Sequence, residues 1–264
     1  MLPQTISITF LTFNTYPFLL GLGIIFSITM SALTHRLNYT DGIGAVVDVC
    51  LAGLIVGIIT GRIGHIVIHW AYFSEHTSEI IQINAGGLNW HSALIGGVFG
   101  AWVMKISIHK KVNFHLLLES WAVAIPLLGL MGWWACGTFL CGYGAEINNL
   151  SDFPAILVWE APAINGMVAP RFATQPLGML WAIIVMGVMI LCIWRGWLRK
   201  KRFGASLMLW AIGMLLLGYL RGDVMVIVAG LRIDQWLDAV MLILGGAYVF
   251  WHRGINRSGR TIAP

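Results

Sequence analysis

The chain has 264 residues, of which 58% are hydrophobic and only 10% charged, against about 25% charged in a soluble domain. Its mean hydropathy of +0.82 agrees, so a soluble globular protein is excluded. The net charge of +5 does not describe a nucleic-acid surface, because twelve of the sixteen Lys and Arg cluster in alternate connections and read as topology signals.

A membrane helix needs about 20 mostly apolar residues, and seven runs meet that need, at roughly 15–34, 43–67, 92–108, 116–135, 176–195, 205–221 and 235–252. No segment shows the alternating polarity of a membrane barrel, so helices are the spanning structure. The basic clusters lie beside Arg36, in Lys105–Lys111, in Arg195–Arg202 and from Arg253 onward. By the positive-inside rule these face the cytoplasm. The expected fold is therefore an all-α polytopic membrane protein of about seven helices, N-terminus outside and C-terminus cytoplasmic, forming one membrane domain over 1–264. The first run is too long for a secretory signal and lacks its basic flank and small-residue cleavage site. The four cysteines, Cys50, Cys136, Cys141 and Cys192, show no spacing that suggests a disulfide framework.

Along the chain, Tyr16 opens the first run at the outer interface, an aromatic-belt position. The second run carries Asp48 and ends near Arg62; fourteen residues of helix separate them by about 21 Å, so they cannot pair. Arg62 can either snorkel to the headgroups or grip a lipid phosphate in bidentate fashion. His65 and His69 share a helix face at i, i+4, a spacing that suits a metal or haem, but no carboxylate or Cys pair accompanies them. The connection over 68–91 holds His76, the double glycine Gly86-Gly87, and then His91 at the start of the glycine-rich SALIGG run. A histidine there can act as a base, a proton shuttle or a phosphate partner, or simply bond a nearby carbonyl. The second long outer connection, 136–175, is rich in Gly, Pro and Asn and contains Arg171. Arg221 closes the sixth run with Asp223 two residues on, and Arg232, Asp234 and Asp238 surround the start of the last. Ionisable groups at membrane depth usually serve a site, so these outer Arg and His residues describe a place for an anionic lipid headgroup.

The block Gly61–Gly97 resembles the prolipoprotein diacylglyceryl transferase family, whose members read roughly G-A-R-L-x-Y-V, an aromatic connection, then G-G-L-x-x-H-G-G-L-I-G. The counterparts are Gly61-Arg62-Ile63, Trp70 to Glu79, Gly86-Gly87-Leu88 and His91 to Gly96. TYPFLLGLG at Thr15–Gly23, ATQPLG at Ala173–Gly178 and the LRGD…GLRIDQWL region extend the likeness. The resemblance implies transfer of a diacylglyceryl group from phosphatidylglycerol to a prolipoprotein lipobox cysteine at the outer face of the bacterial inner membrane. Its partners would be phosphatidylglycerol, the lipobox peptide and the bilayer, with no nucleic acid, no cofactor and no metal. It makes His91 and Tyr16 the catalytic candidates, and Arg62, Arg221, Gly86, Gly87 and Gly144 the lipid-phosphate candidates. The family signature G-R-x-G-N-F-x-N-G-x-x-G, started at Gly132, has Trp133 in the arginine position and Cys136 in the asparagine position. Met214 and Gly218 stand where the family carries a further arginine and a glutamate, which leaves Arg62, Arg171 and Arg221 as the available cations. The alternatives are a catalytically silent relative that binds lipid or joins a membrane complex, and a redox or metal subunit built on His65, His69, His76 and His91.

Overall fold

The computed structural model describes residues 5–8, 11–38, 42–83 and 87–255. Long helices occupy all seven apolar runs: α1 (Thr15–Asn38), α2 (Ile43–Ile68), α4 (Trp90–Ser107), α5 (Phe114–Phe139), α6 (Thr174–Trp194), α7 (Arg202–Gly218) and α8 (Ile233–Ile255). A one-turn helix, α3 (Trp70–Phe73), follows α2. By length and composition α1, α2, α5, α6 and α8 can each cross a bilayer, while α7 is apolar but shorter. The chain is thus an all-α, multi-pass membrane protein. Among the described residues three antiparallel strand pairs lie outside the helices: β1 (Thr5–Ile8) with β2 (Leu11–Asn14), β3 (Val158–Pro162) with β4 (Val168–Phe172), and β5 (Ile227–Val228) with β6 (Leu231–Arg232).

The chain divides into two compact units, one of Met1–Ser27, Trp121–Met225 and Asp234–Pro264, the other of Ile28–Ser120 and Val226–Ile233. In the second unit α2 and α4 pack along a seam of small residues. Gly53, Gly57 and Gly61 recur every fourth residue on α2, and all are buried. A Cβ on Gly57 would lie 2.9 Å from the Ala93 carbonyl oxygen, and one on Gly100 would lie 2.6 Å from Val56 Cβ. Lipid tails supply no hydrophobic force between helices, so such close backbone approach is what holds them together. Ile55, Ile59, Ile63 and Val67, on other positions of the same helix, are exposed, as a lipid-facing stripe requires. Across the seam the Thr60 hydroxyl donates to the Ser92 carbonyl at 2.9 Å. Asp48 pairs with His109 at 3.0 Å, so its partner comes from the connection just after α4 and not from its own helix.

In the first unit, Ala122 and Val123 of α5 and Val185, Met189 and Cys192 of α6 form a buried apolar cluster. Pro126 stands inside α5 and has no N–H to offer the carbonyl of Ala122 four residues back. Ser206 of α7 supplies the missing donor, its hydroxyl reaching that carbonyl at 2.7 Å. Two tryptophans press against glycines: a Cβ on Gly129 would meet Trp210 at 2.0 Å, and one on Gly213 would meet Trp181 at 1.9 Å. Three sequence expectations are corrected. Cys136 and Cys141 form a disulfide, which their five-residue separation did not advertise because it closes a turn at the end of α5. The sixth run stops being helical at Gly218, so Arg221 lies in the following loop. Arg62 is 7% exposed and inside α2, so it does not snorkel.

Candidate functional site

Around His91 the local geometry begins with Asn89, the N-cap of α4. Its side-chain oxygen accepts from the Ser92 amide at 3.0 Å and from the Ser92 hydroxyl at 3.0 Å, satisfying a donor that the first helical turn leaves without a partner. The Asn89 amide in turn donates to the Gly61 carbonyl at 2.9 Å, which ties the helix start to α2. His91 follows in the first turn, 1% exposed, with its ring centroid 4.0 Å from that of Trp90. Gly87 has φ +78°, a left-handed conformation that favours glycine, and a Cβ there would sit 2.6 Å from the His65 ring. Gly86, its expected companion, lies outside the described residues.

Arg62 directs its guanidinium into the connection that follows α3. Its Nε donates to the Ile80 carbonyl at 3.0 Å, its Nη1 to the Gly87 carbonyl at 3.2 Å and its Nη2 to the Glu79 carbonyl. The Phe73 ring lies beneath it at 5.2 Å. The His65 and His69 rings lie with centroids 4.5 Å apart, tilted at 50° to each other. Tyr72 donates to the Glu79 carboxylate at 2.9 Å and stacks on His76 at 4.3 Å.

The other unit holds a second polar group centred on Gly144. Gly144 bridges backbone to backbone with Arg221, and Glu146 does so with Arg171. A Cβ on Gly144 would stand 2.0 Å from the Phe172 carbonyl oxygen, so only glycine fits this three-way strand junction. Arg171 is 5% exposed; Nη1 donates to the Gly144 carbonyl at 3.4 Å, Nη2 to Glu146 at 3.1 Å, and its Nε is buried with no hydrogen-bond acceptor among the described residues. Arg221 donates through Nε and Nη2 to both oxygens of Asp223, at 2.8 and 2.6 Å, and through Nη1 to Asp234 at 3.1 Å. Burial works against its charge, but Asp223, and after it Asp234 and Asp238, outweigh that and hold the guanidinium above its usual pKa. A guanidinium has five N–H groups, so the three bonds leave one N–H on each terminal nitrogen.

The signature turn is built by residues far apart in sequence. Leu140 and Gly142 take left-handed φ values of 58° and 60°, next to the disulfide. Thr174 donates to the Gly142 carbonyl at 2.6 Å and Gln175 to the Cys141 carbonyl at 3.0 Å, so the ATQ stretch at the start of α6 holds that turn. Trp133, in the signature's arginine position, is buried against Gly142 and Gly178, and the Arg221 guanidinium lies 6.0 Å above its ring. Tyr16, half-buried, meets Phe139 edge to face at 5.4 Å. Of the expected site residues, Arg62, Gly87 and His91 thus share one unit, and Tyr16, Gly144 and Arg221 the other. The roles of Asp234 and Gln175 carried no local signal, since their partners lie 13 and 34 residues away.

Buried arginines and a buried histidine in a multi-pass apolar chain define an integral membrane protein with polar sites fit for charged ligands. The profile described as "Prolipoprotein diacylglyceryl transferase" matches residues 3–251, and the chain belongs to that family. It is similar to the phosphatidylglycerol–prolipoprotein diacylglyceryl transferase of Clostridium novyi (strain NT), at 26% identity over 252 residues and 93% of each chain. It is also similar to the proteins of that name from Streptococcus pyogenes serotype M5 (strain Manfredo), at 27% over 220 residues, and Streptococcus agalactiae serotype Ia, at 25% over 212, each match spanning 79% of both chains.

Proposed function

We propose that this chain transfers a diacylglyceryl group from phosphatidylglycerol to the lipobox cysteine of a prolipoprotein, at the outer face of a bacterial inner membrane. The observation that carries the reading is a family match over residues 3–251, a range that includes His91, Arg171 and Arg221. In the reaction the cysteine sulfur attacks the glyceryl carbon that bears the phosphoester. The carbon–oxygen bond breaks, a thioether forms, and glycerol phosphate leaves. The thiol proton is taken by His91, because the thiolate is the nucleophile and needs a neighbouring base. The departing phosphate gathers negative charge, which cationic donors must meet. Arg221 and Arg171 both stand at Gly144, and the Arg171 Nε–H is buried with no acceptor among the described residues. These two arginines take the place of a cation at position 133. Tyr16 shapes the lipid side of the reaction.

The test is the reaction itself. Purified protein in phosphatidylglycerol vesicles is given a lipobox peptide, and mass spectrometry follows the diacylglyceryl adduct on cysteine. His91→Gln should lower kcat/KM by about 10²–10⁴, the usual worth of a general base. Transfer at the wild-type rate in that variant would remove His91 from the chemistry. One observation favours a second reading, a silent relative that binds lipid: an apolar indole fills the signature cation's position. Absence of any adduct, beside an active relative assayed in parallel, would select it.

A further inference from the structure

Arg62 is the residue whose expected role its surroundings argue against. A bidentate grip on phosphate uses two parallel N–H groups on one edge of the guanidinium. Here the Nε/Nη2 edge faces the consecutive carbonyls of Ile80 and Glu79, and Nη1 faces the carbonyl of Gly87. The group is 7% exposed and covered on one side by the Phe73 ring. All three acceptors belong to the connection between α3 and α4, at two places separated by several residues. One side chain therefore ties the middle of that connection and its α4 end to α2.

The tie ends immediately before His91. Gly87 accepts from Arg62, and the preceding residue of α2, Gly61, accepts from the Asn89 amide at 2.9 Å. Asn89 then caps the turn of α4 that carries His91. Gly87 can meet Arg62 only because it lacks a side chain: a Cβ would lie 2.8 Å from Arg62 Nη1, in a backbone conformation of φ +78°. We propose that Arg62 is a positioning residue, which sets the approach of the chain to α4 and so the placement of the His91 imidazole, and that it is not a ligand of the lipid phosphate.

This rests on the transferase reading, and the test separates the two. Wild type, Arg62→Lys, Gly87→Ala and the double variant are reconstituted as full-length protein in phosphatidylglycerol-containing nanodiscs. Lysine keeps the charge but offers a single point of donation, which cannot span three carbonyls. Arg62→Lys should lower kcat by about 10²-fold, the cost of a misplaced catalytic group, with KM for phosphatidylglycerol within about twofold of wild type. Gly87→Ala should reproduce the split, and the double variant should be no worse than the poorer single, as expected for residues acting through one contact. A KM for phosphatidylglycerol raised tenfold or more in Arg62→Lys, with kcat retained, would overturn the proposal and restore the phosphate role. Amide exchange across residues 79–90 is measured on the same samples without peptide. It should quicken in Arg62→Lys and in Gly87→Ala; unchanged exchange in both overturns the clamp whatever the kinetics. A wild-type protein that transfers nothing defeats the transferase reading, and exchange then decides the clamp alone.

Discussion

Gly96→Ala tests the packing that brings His91 to its place. A Cβ on Gly96 would fall 1.9 Å from Thr60 Oγ1 and 2.6 Å from its Cβ and Cγ2. Thr60 cannot turn aside without loss, because its hydroxyl donates to Ser92 at 2.9 Å across the seam. An ordinary carbon contact is about 3.5 Å, so α2 and α4 must part by roughly 1.5 Å. Overpacking of this kind costs about 1–3 kcal/mol. An interhelical hydrogen bond in a membrane protein is worth about 0.6–1.7 kcal/mol. Alanine in place of glycine returns about 0.5–1 kcal/mol through the helix backbone. The net loss is about 1–4 kcal/mol by these three figures. The assay is reversible unfolding in mixed micelles as the fraction of denaturing detergent rises. Gly187→Ala in α6 is the control, since among the described residues a Cβ there meets nothing within 4 Å beyond its own stretch of helix backbone, and it should match or exceed wild type. If Gly96→Ala unfolds within about 0.5 kcal/mol of wild type, the usual scatter for a surface substitution, the close seam is refuted. A comparable loss in Gly187→Ala would show that glycine content alone, and not contact, sets the effect.

Two further predictions concern the other unit. Peptide mapping without reductant should find Cys136 joined to Cys141, while Cys50 and Cys192 remain buried thiols; reduction should cost about 2 kcal/mol for so short a loop, read as a lower melting temperature. Free thiols at both positions in unreduced protein would sink this. Trp133→Arg, although the resemblance sets an arginine at that position, should not raise activity. It places a second cation about 6 Å from Arg221, worth about 3 kcal/mol of repulsion at an effective dielectric near 20, and leaves the space against Gly178 poorly filled. A gain in transfer rate with unchanged thermal stability would contradict that account.

The helices themselves were legible because a bilayer imposes a local rule: some 20 consecutive apolar residues must bond their own backbone. Composition therefore placed all seven long helices, α1, α2 and α4 to α8, within a few residues of where they stand. His91 was legible for a similar reason, as an ionisable group beside glycines at a helix start. The errors fall where a contact spans distance in the chain. The sequence displays Arg62 and Arg221 as cations at helix ends, and a cation at a helix end can serve lipid or protein equally. What stands beside each is set by distant residues: the carbonyls of Glu79, Ile80 and Gly87 around Arg62, and the carboxylates of Asp223 and Asp234 beside Arg221.

By itself, then, the sequence determined a multi-pass helical membrane protein, its family likeness and the histidine at the head of α4, because each is written in consecutive or regularly spaced residues. Only the tertiary structure decided that Cys136 meets Cys141, that Ser206 satisfies the carbonyl freed by Pro126, and that Trp133 lies under Arg221. Hydrogen bonds and close packing act over about 3–4 Å, and no one-dimensional pattern states which distant residues come within that range.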